Sequence, residues 1–310
     1  MRKLITLLSF CLCLTSCDDG DVFTITLDFD ETFFTCGELV FYKTKDDPAE
    51  SLSLQITSPP LTIDDILETD GNGMLVTPEI TITINGTSNL FNYRSYNAPP
   101  NNLFCNDVPP SGIIITNDDE SISGTAMITT VLTEDDNDGI DADLEDENLD
   151  GDNDPSTNPT DTDGDSIPDY LDADDDGDNV LTSTEIIDEN LDGDNNPLTN
   201  PRDTDDDGIP NYLDTDDDND GVLTRDEENI TQDQNPNNDF TNPEFADYLN
   251  NQVANTIPAT AYRPHIITQN FEVSILIINL QLSNINQTEF DFGILQDSRT
   301  SNSRTVTPNF

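Results

Sequence analysis

Short runs of alternating apolar and polar residues recur through the first 132 residues of the chain. Residues 22–29 read VFTITLDF, and this period of two predicts a β-strand with one apolar face. Asn85-Gly86 lies between two such runs and predicts a hairpin turn. Many short strands separated by turn residues favour a β-sandwich. The other predicted strands are 39–43, 52–56, 80–84, 90–93, 113–116 and 121–132.

The last 60 residues have the same β character. Residues 262–282 and 289–306 predict two long strands. The first is apolar on both faces and is therefore expected to be buried on both sides, with Phe271, Val273, Ile275 and Ile277 on one side and Leu276, Ile278 and Leu280 on the other. So few strands bury too little apolar surface to fold alone. We therefore expect them to complete the sheet of the first domain; a small separate C-terminal module is the alternative.

The segment between residues 134 and 247 loses this alternation and is dominated by Asp and Asn. It holds 42 of the 65 acidic residues of the chain and two basic residues, Arg202 and Arg225, within a formal net charge of −55. Residues 161–172 return in nearly the same form as residues 203–214, a period of about 42 residues. Such a charge excludes nucleic acid as a direct partner, because phosphates would be repelled.

A twelve-residue calcium-loop pattern recurs inside this segment. In such a loop the side chains at positions 1, 3 and 5 converge on one cation, a sharp turn follows at position 6, and position 12 closes the coordination shell. The pattern fits residues 216–227 best, with Gly221 at position 6. Weaker fits begin at Glu134 and Asp233. The other fits are 150–161, 161–172, 174–185, 192–203 and 203–214.

The cofactor expected from these loops is a set of several Ca²⁺ ions. Calcium accepts many oxygen ligands, magnesium prefers tighter sites with retained water, and the segment has no Cys or His for a transition metal. The predicted ligands are Asp161, Asp163, Asp165, Ile167, Asp169, Asp172, Asp174, Asp176, Asp178, Val180, Thr182, Glu185, Asp192, Asp194, Asp203, Asp205, Asp207, Ile209, Asn211, Asp214, Asp216, Asp218, Asp220, Val222, Thr224 and Glu227.

Residues 161–172 resemble the thrombospondin type 3 repeat, whose signature is Asp-x-Asp-x-Asp-Gly-x-x-Asp-x-x-Asp. Ser166 replaces the signature Gly, and Asn211 replaces one Asp in the copy at 203–214. The resemblance implies chain wrapped around calcium ions with little regular secondary structure. The competing interpretation is a disordered acidic spacer. That interpretation does not account for the regular apolar residues at position 7 and at position 11 of the loops.

The N-terminus has the features of a secretion signal. A basic start and an apolar run at 4–14 lead to Leu14-Thr-Ser-Cys17, which resembles the lipobox of bacterial lipoproteins and implies lipidation of Cys17. Asp18 and Asp19 resemble the surface-export signal of Bacteroidetes lipoproteins, whereas in proteobacteria an Asp at this place resembles an inner-membrane retention signal. The Asp/Asn-rich style resembles flavobacterial proteins and favours the outer membrane. We expect an outer-membrane lipoprotein, exposed at the surface or to the periplasm; an ordinary signal peptide is the alternative.

The remaining cysteines, Cys36 and Cys105, are expected to form a disulfide in an oxidising compartment. The chain has one histidine, His265, and no nucleophile-elbow, phosphate-loop or zinc-ligand pattern. We therefore predict that it is not an enzyme.

Together these patterns predict a mainly β protein, an Ig-like β-sandwich with a long, mostly irregular calcium-binding insertion. The expected parts are a signal peptide (1–16), a β-sandwich domain (17–132), repeats (133–250) and a C-terminal β segment (251–310). The expected function is a lipid-anchored envelope protein with a calcium-stiffened extended arm that binds a protein or glycan partner, as in adhesion. A structural or calcium-sequestering protein without a partner, and a hydrolase that uses carboxylates outside the repeats, are the alternatives.

Overall fold

The computed structural model describes residues 27–37, 39–108, 110–145, 154–186, 196 and 198–310. Within them the chain forms ten strands: β1 (Thr32–Cys36), β2 (Val40–Asp46), β3 (Ala49–Ile56), β4 (Glu79–Ile84), β5 (Asn89–Tyr96), β6 (Ile115–Glu120), β7 (Ser123–Asp135), β8 (His265–Gln281), β9 (Asn286–Leu295) and β10 (Ser301–Val306). The helices are α1 (Ile63–Ile66) and α2 (Thr182–Glu185), and single 3₁₀ turns occupy Ala142–Leu144, Asp169–Leu171, Asn211–Leu213, Thr224–Asp226, Pro236–Asn238, Asp247–Leu249 and Ser298–Thr300.

The strands pair in the order β4-β7-β8-β9-β1-β2-β3-β5-β6, with β10 also paired to β8. Strand β1 belongs to two sheets, because it pairs in parallel with β9 on one side and antiparallel with β2 on the other. Apolar side chains of both sheets meet in one core cluster. The predicted fold class, mainly β with a β-sandwich, is confirmed.

The C-terminal strands lie inside the first domain. Strand β8 pairs antiparallel with β7 from Ser123–Gln281 to Asp135–Thr268, and its other edge carries β9 and then β10. The Asp-rich segment therefore leaves the sheet at the end of β7 and returns at the start of the neighbouring strand. Both of its ends are held by one antiparallel pair.

Aromatic rings fill the centre of the sandwich. Phe33 packs against Phe41 and Phe292 with centroid distances of 5.2 and 5.3 Å, and Phe91 lies 6.1 Å from Phe292. Phe33, Phe41, Phe91 and Phe292 are fully buried. Because the four rings come from β1, β2, β5 and β9, this cluster joins the N-terminal strands to the C-terminal ones.

The predicted hairpin around Asn85-Gly86 is wrong. Strand β4 pairs with β7, whereas β5 pairs with β3 and β6, so the connection crosses from one sheet to the other. Ile84 and Phe91 both belong to the core, which means that the two strands pack face to face rather than edge to edge. Asn85 stabilises the crossing, since its Oδ1 accepts the N–H groups of Thr87 and Ser88.

The predicted burial of β8 on both faces is also wrong. Val273, Ile275 and Ile277 are buried, whereas Leu276 and Ile278 are half-buried. Asn279 adopts a φ of +54° at an irregularity in the pairing with β7, and beyond it Leu280 turns into the core. The single strand predicted over 289–306 is divided into β9 and β10 by a turn at Ser298–Thr300.

The first predicted strand and the predicted disulfide have different outcomes. The predicted strand 22–29 lies outside the described residues up to position 26, and residues 27–29 are not in a strand. Cys36 and Cys105 are joined by a disulfide, with their Cα atoms 5.3 Å apart.

Across the part of the chain that the structure describes, no helix combines the length and the apolar character needed to cross a membrane.

The chain returning from the Asp-rich segment runs back along it. Ala259 N–H donates to Asp226 Oδ1, and Ile257 N–H donates to the carbonyl of Asp226. Further on, Arg263 Nη1 donates to the Asn179 carbonyl. The return segment 257–263 thus connects the loops of two successive periods before it enters β8.

We expect Gly293→Ala to destabilise the fold by about 3 kcal/mol or more. Gly293 has a φ of +94°, and a Cβ there would overlap the carbonyl of Glu31, which accepts the N–H of Ile294 where β9 meets β1. Urea unfolding measures the change. Gly71→Ala is the matched control, because its Cβ would meet nothing within 4 Å; equal midpoints for the two variants would contradict the assignment.

Candidate metal centres

One hydrogen-bond pattern recurs in the four loops 161–172, 174–185, 203–214 and 216–227. In loop 174–185, Asp174 Oδ2 accepts the N–H of Asn179 at 2.9 Å, Asp176 Oδ1 accepts that of Asp178, and Asp178 Oδ1 accepts that of Val180 at 2.7 Å. The same contacts from positions 1, 3 and 5 to the backbone at positions 6, 5 and 7 occur in the other three loops. Asp at these positions therefore shapes each turn.

Position 6 of each loop lies in the left-handed backbone region. Ser166 and Asn179 have φ angles of +85° and +74°, close to those of Gly208 and Gly221 at +98° and +94°. Asn adopts this conformation more readily than most residues, and the contact to position 1 holds the N–H in place. The departures from Gly in the sequence thus leave the turn intact.

The second oxygen of many loop carboxylates is buried without a hydrogen-bond partner. An unpaired buried carboxylate costs several kcal/mol unless it is protonated or meets a cation. In loop 174–185 these atoms belong to Asp176, Asp178 and both oxygens of Glu185. Elsewhere they are Asp165 Oδ2, Asp203 Oδ1, Asp216 Oδ1, Asp218 Oδ2, Asp220 Oδ2 and Glu227 Oε1.

The carboxylates of three of these loops converge. One oxygen each from Asp174, Asp176 and Asp178 lies within 4.8 Å of the others, and the corresponding triplets of loops 161–172 and 203–214 are as close. Loop 174–185 is the most enclosed of the three. Such spacing suits a common cation, because calcium–oxygen distances of about 2.3–2.6 Å bring its ligands this near to one another.

The pKa values of these groups are displaced upward. Burial, followed by the charge of Asp178, raises the pKa of Asp176 well above its ordinary range, and burial acts in the same way on Asp178 and Glu185. Burial together with neighbouring Asp charges raises the pKa of Glu227 to about 9. Without a cation, these sites would favour the protonated form near neutral pH.

Positions 2 and 9 of each loop are hydrogen-bonded to each other. In loops 161–172 and 203–214, which we name the Thr-2 loops, Thr162 bonds both oxygens of Asp169 and Thr204 bonds the amide of Asn211. In loops 174–185 and 216–227, the Asp-2 loops, the residue types are exchanged. Asp175 N–H donates to Thr182 Oγ1, and Asp217 bonds Thr224.

The side chains at position 9 therefore make a contact that the calcium-loop template does not include. The structure places Asp169, Asn211, Thr182 and Thr224 in contacts across their own loops, and as ligands they remain predictions. Ile167, Val180, Ile209 and Val222 at position 7 donate their N–H to position 5, and their carbonyls remain predicted ligands.

Position 12 differs between the two loop types. Asp172 and Asp214 in the Thr-2 loops each accept the N–H of the first residue of the next loop, at 3.0 Å. Glu185 and Glu227 in the Asp-2 loops have oxygens without partners. The Asp-2 loops therefore keep a free carboxylate at position 12, whereas in the Thr-2 loops that residue also joins one loop to the next.

Loop 134–145, only weakly indicated by the sequence, forms the same kind of site. Asp136, Asp138 and Glu145 have oxygens within 4.8 Å of one another, and each has a buried oxygen without a partner. Glu134, at position 1, is instead paired with Arg304 at 2.7 Å. The signal that could have found the site is Asp-x-Asp-Gly-Ile at 136–140, with an acid seven residues after Asp138.

Sequence reasoning also missed Asp175 and Asp217 at position 2, which the calcium template leaves unassigned. Both are buried, and each has an oxygen without a partner. Three consecutive Asp residues at 174–176 and at 216–218 were the available signal. The predicted ligands Asp192 and Asp194, and Cys17 at the lipidation site, lie outside the described residues.

His265 connects the first residue of β8 to the loops. Its Nδ1 lies 2.9 Å from Asp172 Oδ1 and 3.0 Å from the Ala173 nitrogen. Burial lowers the pKa of His265, but the hydrogen bond to Asp172 and the surrounding acids outweigh it, and the net shift is upward. This buried contact gives the single histidine a structural role.

Comparison with known proteins corrects the resemblance drawn from the sequence. Residues 135–197 match the family described as BamM C-terminal, an outer-membrane assembly lipoprotein family, and not the thrombospondin type 3 repeat. The matched residues include loop 161–172, which carried the earlier resemblance. No curated protein and no solved structure matches the chain.

The thrombospondin resemblance is therefore wrong. The pattern misled because the hydrogen bonds of the turn itself require Asp-x-Asp spacing, so this spacing is not specific to one family. The match covers about a fifth of the chain. It agrees with the N-terminal features on location: the predicted outer-membrane lipoprotein is confirmed.

In the absence of divalent cations, we expect stability to fall as the pH rises from about 5 to about 9. Burial raises the pKa of Asp136 and Asp217 to about 8, whereas an unfolded Asp titrates near about 3.9. The folded state holds the extra protons, so its advantage is complete below about pH 4 and is lost as the pH passes about 8. Urea midpoints in chelator measure this slope, with calcium-containing buffer as the control; midpoints that rise with pH in chelator would contradict it.

Proposed function

We propose that this chain is a non-enzymatic, outer-membrane-associated lipoprotein component whose Asp-rich loops bind several Ca²⁺ ions and thereby rigidify the inserted region for a protein partner. The observation that carries the calcium proposal is the recurrent buried carboxylate oxygen without a partner. It supports a divalent cation because carboxylates this close repel one another and cannot all be charged without compensation. Calcium fits best, since the converging atoms are oxygens.

Rigidity is what the ions would contribute. A loop without its cation has to bury like charges or protonate them, so ordering of the loop and ion binding are one process. At about 1 mM calcium and a dissociation constant of about 0.1 mM, each site would stabilise the folded insertion by about 1.4 kcal/mol. The return segment 257–263, bonded to loops of two periods, would transmit this order to β8. We therefore propose a stiffened body held along the returning chain in place of a free extended arm.

The location supports a role in an assembly. The match to an outer-membrane assembly family favours a protein partner in that machinery over a glycan. Lipidation at Cys17 would hold the mature chain at the membrane surface. His265, already bonded to Asp172, offers no support for the alternative of a hydrolase.

We expect the full-length protein, solubilised in detergent and stripped with chelator, to bind about five or more Ca²⁺ ions per chain. Four of these sites are the convergent carboxylates of loops 134–145, 161–172, 174–185 and 203–214, and the fifth is loop 216–227, whose carboxylate oxygens lack partners. Isothermal titration calorimetry measures uptake, and magnesium at the same concentration should bind more weakly. Asp218→Asn should weaken one site, whereas Asp206→Asn, at an exposed position 4, should not. No saturable uptake would reject the calcium proposal.

Partner binding is expected to depend on calcium. When the tagged protein is purified from its own membranes, subunits of the outer-membrane assembly machinery should copurify in calcium and be lost in chelator, because unfolding of the loops removes the surface. Mass spectrometry with an unrelated tagged lipoprotein as control identifies them. If the same subunits were recovered with and without chelator, partner binding would not depend on the calcium loops. If no subunit were recovered in either condition, this class of partner would be rejected.

A further inference from the structure

We infer that Asp217 completes the cation site of loop 174–185, so that a carboxylate from one period closes the coordination shell of the period before it. This inference rests on the proposed calcium binding and adds a ligand that the twelve-residue template does not contain. Two consecutive periods would then be held together by ligands to the same ion.

The three carboxylates concerned meet in the interior. Oxygens of Asp178, Glu185 and Asp217 lie within 4.8 Å of one another, and the residues are 0, 1 and 1% exposed. Asp178 Oδ2, both Glu185 oxygens and Asp217 Oδ1 have no hydrogen-bond donor, and Asp217 and Glu185 lie close enough to share a proton when no cation is bound. Asp178 and Glu185 are positions 5 and 12 of one loop, and Asp217 belongs to the next Asp-2 loop, about 42 residues further on.

The contact between positions 2 and 9 explains why Asp217 is available. Its N–H and its Oδ2 both contact Thr224 Oγ1, at 3.3 and 3.2 Å, which leaves Oδ1 to point away from its own loop. In the receiving loop, Thr182 at position 9 is engaged by the N–H of Asp175 at 3.1 Å. Asp217 is an additional carboxylate, from outside that loop, whose oxygen lies within 4.8 Å of those of Asp178 and Glu185.

In the preceding period, Asp175 lies near the corresponding site of loop 134–145. Asp175 occupies position 2 of loop 174–185, and it lines a cavity with Glu145 of loop 134–145. Asp175 Oδ1 has no partner, and the charges of Asp138 and Glu145 are among those that act on it. Each Asp-2 loop thus places a carboxylate with an unpartnered oxygen near the site of the preceding period.

Carboxylates would then be contributed in one direction only, from each Asp-2 loop to the period before it. The Thr-2 loops have Thr at position 2 and cannot donate a carboxylate from it, so their sites depend on their own residues. Ion binding at loops 134–145 and 174–185 is expected to be coupled to folding of the following period.

Calorimetric calcium titration of the full-length protein in detergent tests the inference. Asp217→Asn keeps an oxygen for Thr224 but removes the charge, and it should weaken one site by about tenfold or more. Glu185→Gln should weaken the same site, and the double variant should leave the other sites unchanged, because both side chains act on one ion. Asp206→Asn, which removes one exposed charge, should titrate as the native protein does.

Thr224→Val separates a structural role from a ligand role. It breaks the contact that positions Asp217 but keeps the carboxylate, so the site of loop 174–185 should weaken less than in Asp217→Asn, which removes the charge itself. If Thr224→Val reproduced the effect of Asp217→Asn, or if Asp217→Asn matched Asp206→Asn, the inference would be overturned while calcium binding stood. If the native protein took up no calcium, the proposed function itself would fail.

Asp175→Asn provides an independent second test should Asp217→Asn fail to fold. It acts at the other contact between periods, and it should weaken the site of loop 134–145 by a similar factor while the site of loop 174–185 keeps Asp217. Unchanged uptake by Asp175→Asn would also count against completion between periods. Circular dichroism in calcium establishes that each variant keeps the native β content.

Discussion

Buried carboxylates without hydrogen-bond partners are the constraint on which the inserted region depends. Each loop uses one oxygen of its Asp side chains to hold the backbone in a tight turn, and this commits the other oxygen to the interior. In a medium of low dielectric constant such oxygens repel strongly when they are charged. The insertion can therefore be ordered when protons or cations neutralise it, and the local hydrogen bonds that shape the turns are what create that demand.

The β-sandwich gives this charged region two fixed ends. Since β7 and β8 are neighbours in one sheet, the long insertion leaves and re-enters the domain at adjacent points, and a long loop between fixed ends costs little additional closure entropy. Glu134 at the exit is paired with Arg304 of β10, and His265 at the return contacts Asp172. The aromatic core around Phe33 and Phe292 makes the same sheets depend on the C-terminal strands.

The alternation of Thr-2 and Asp-2 loops gives the repeat more order than its composition suggests. Positions 2 and 9 exchange residue types between the Thr-2 and Asp-2 loops, and the hydrogen bond between them is kept in both. The exchange changes which side chain retains a carboxylate oxygen without a hydrogen-bond partner. In a Thr-2 loop such as 161–172, both oxygens of Asp169 are used locally. In an Asp-2 loop, Asp217 retains one, and this asymmetry underlies the contact between periods.

The sequence by itself determined the β class, most strand positions, the place of the Asp-rich segment and the residues of each turn, because alternation and Asp-x-Asp spacing are local properties of a chain. It could not determine that β4 and β5 lie in different sheets, or that Asn279 redirects β8, since these follow from which apolar faces meet. Nor could it show that Asp217 lies beside Glu185. Residues so far apart in sequence come together through the packing of whole periods, and only the tertiary structure decides which carboxylate oxygens are left without partners.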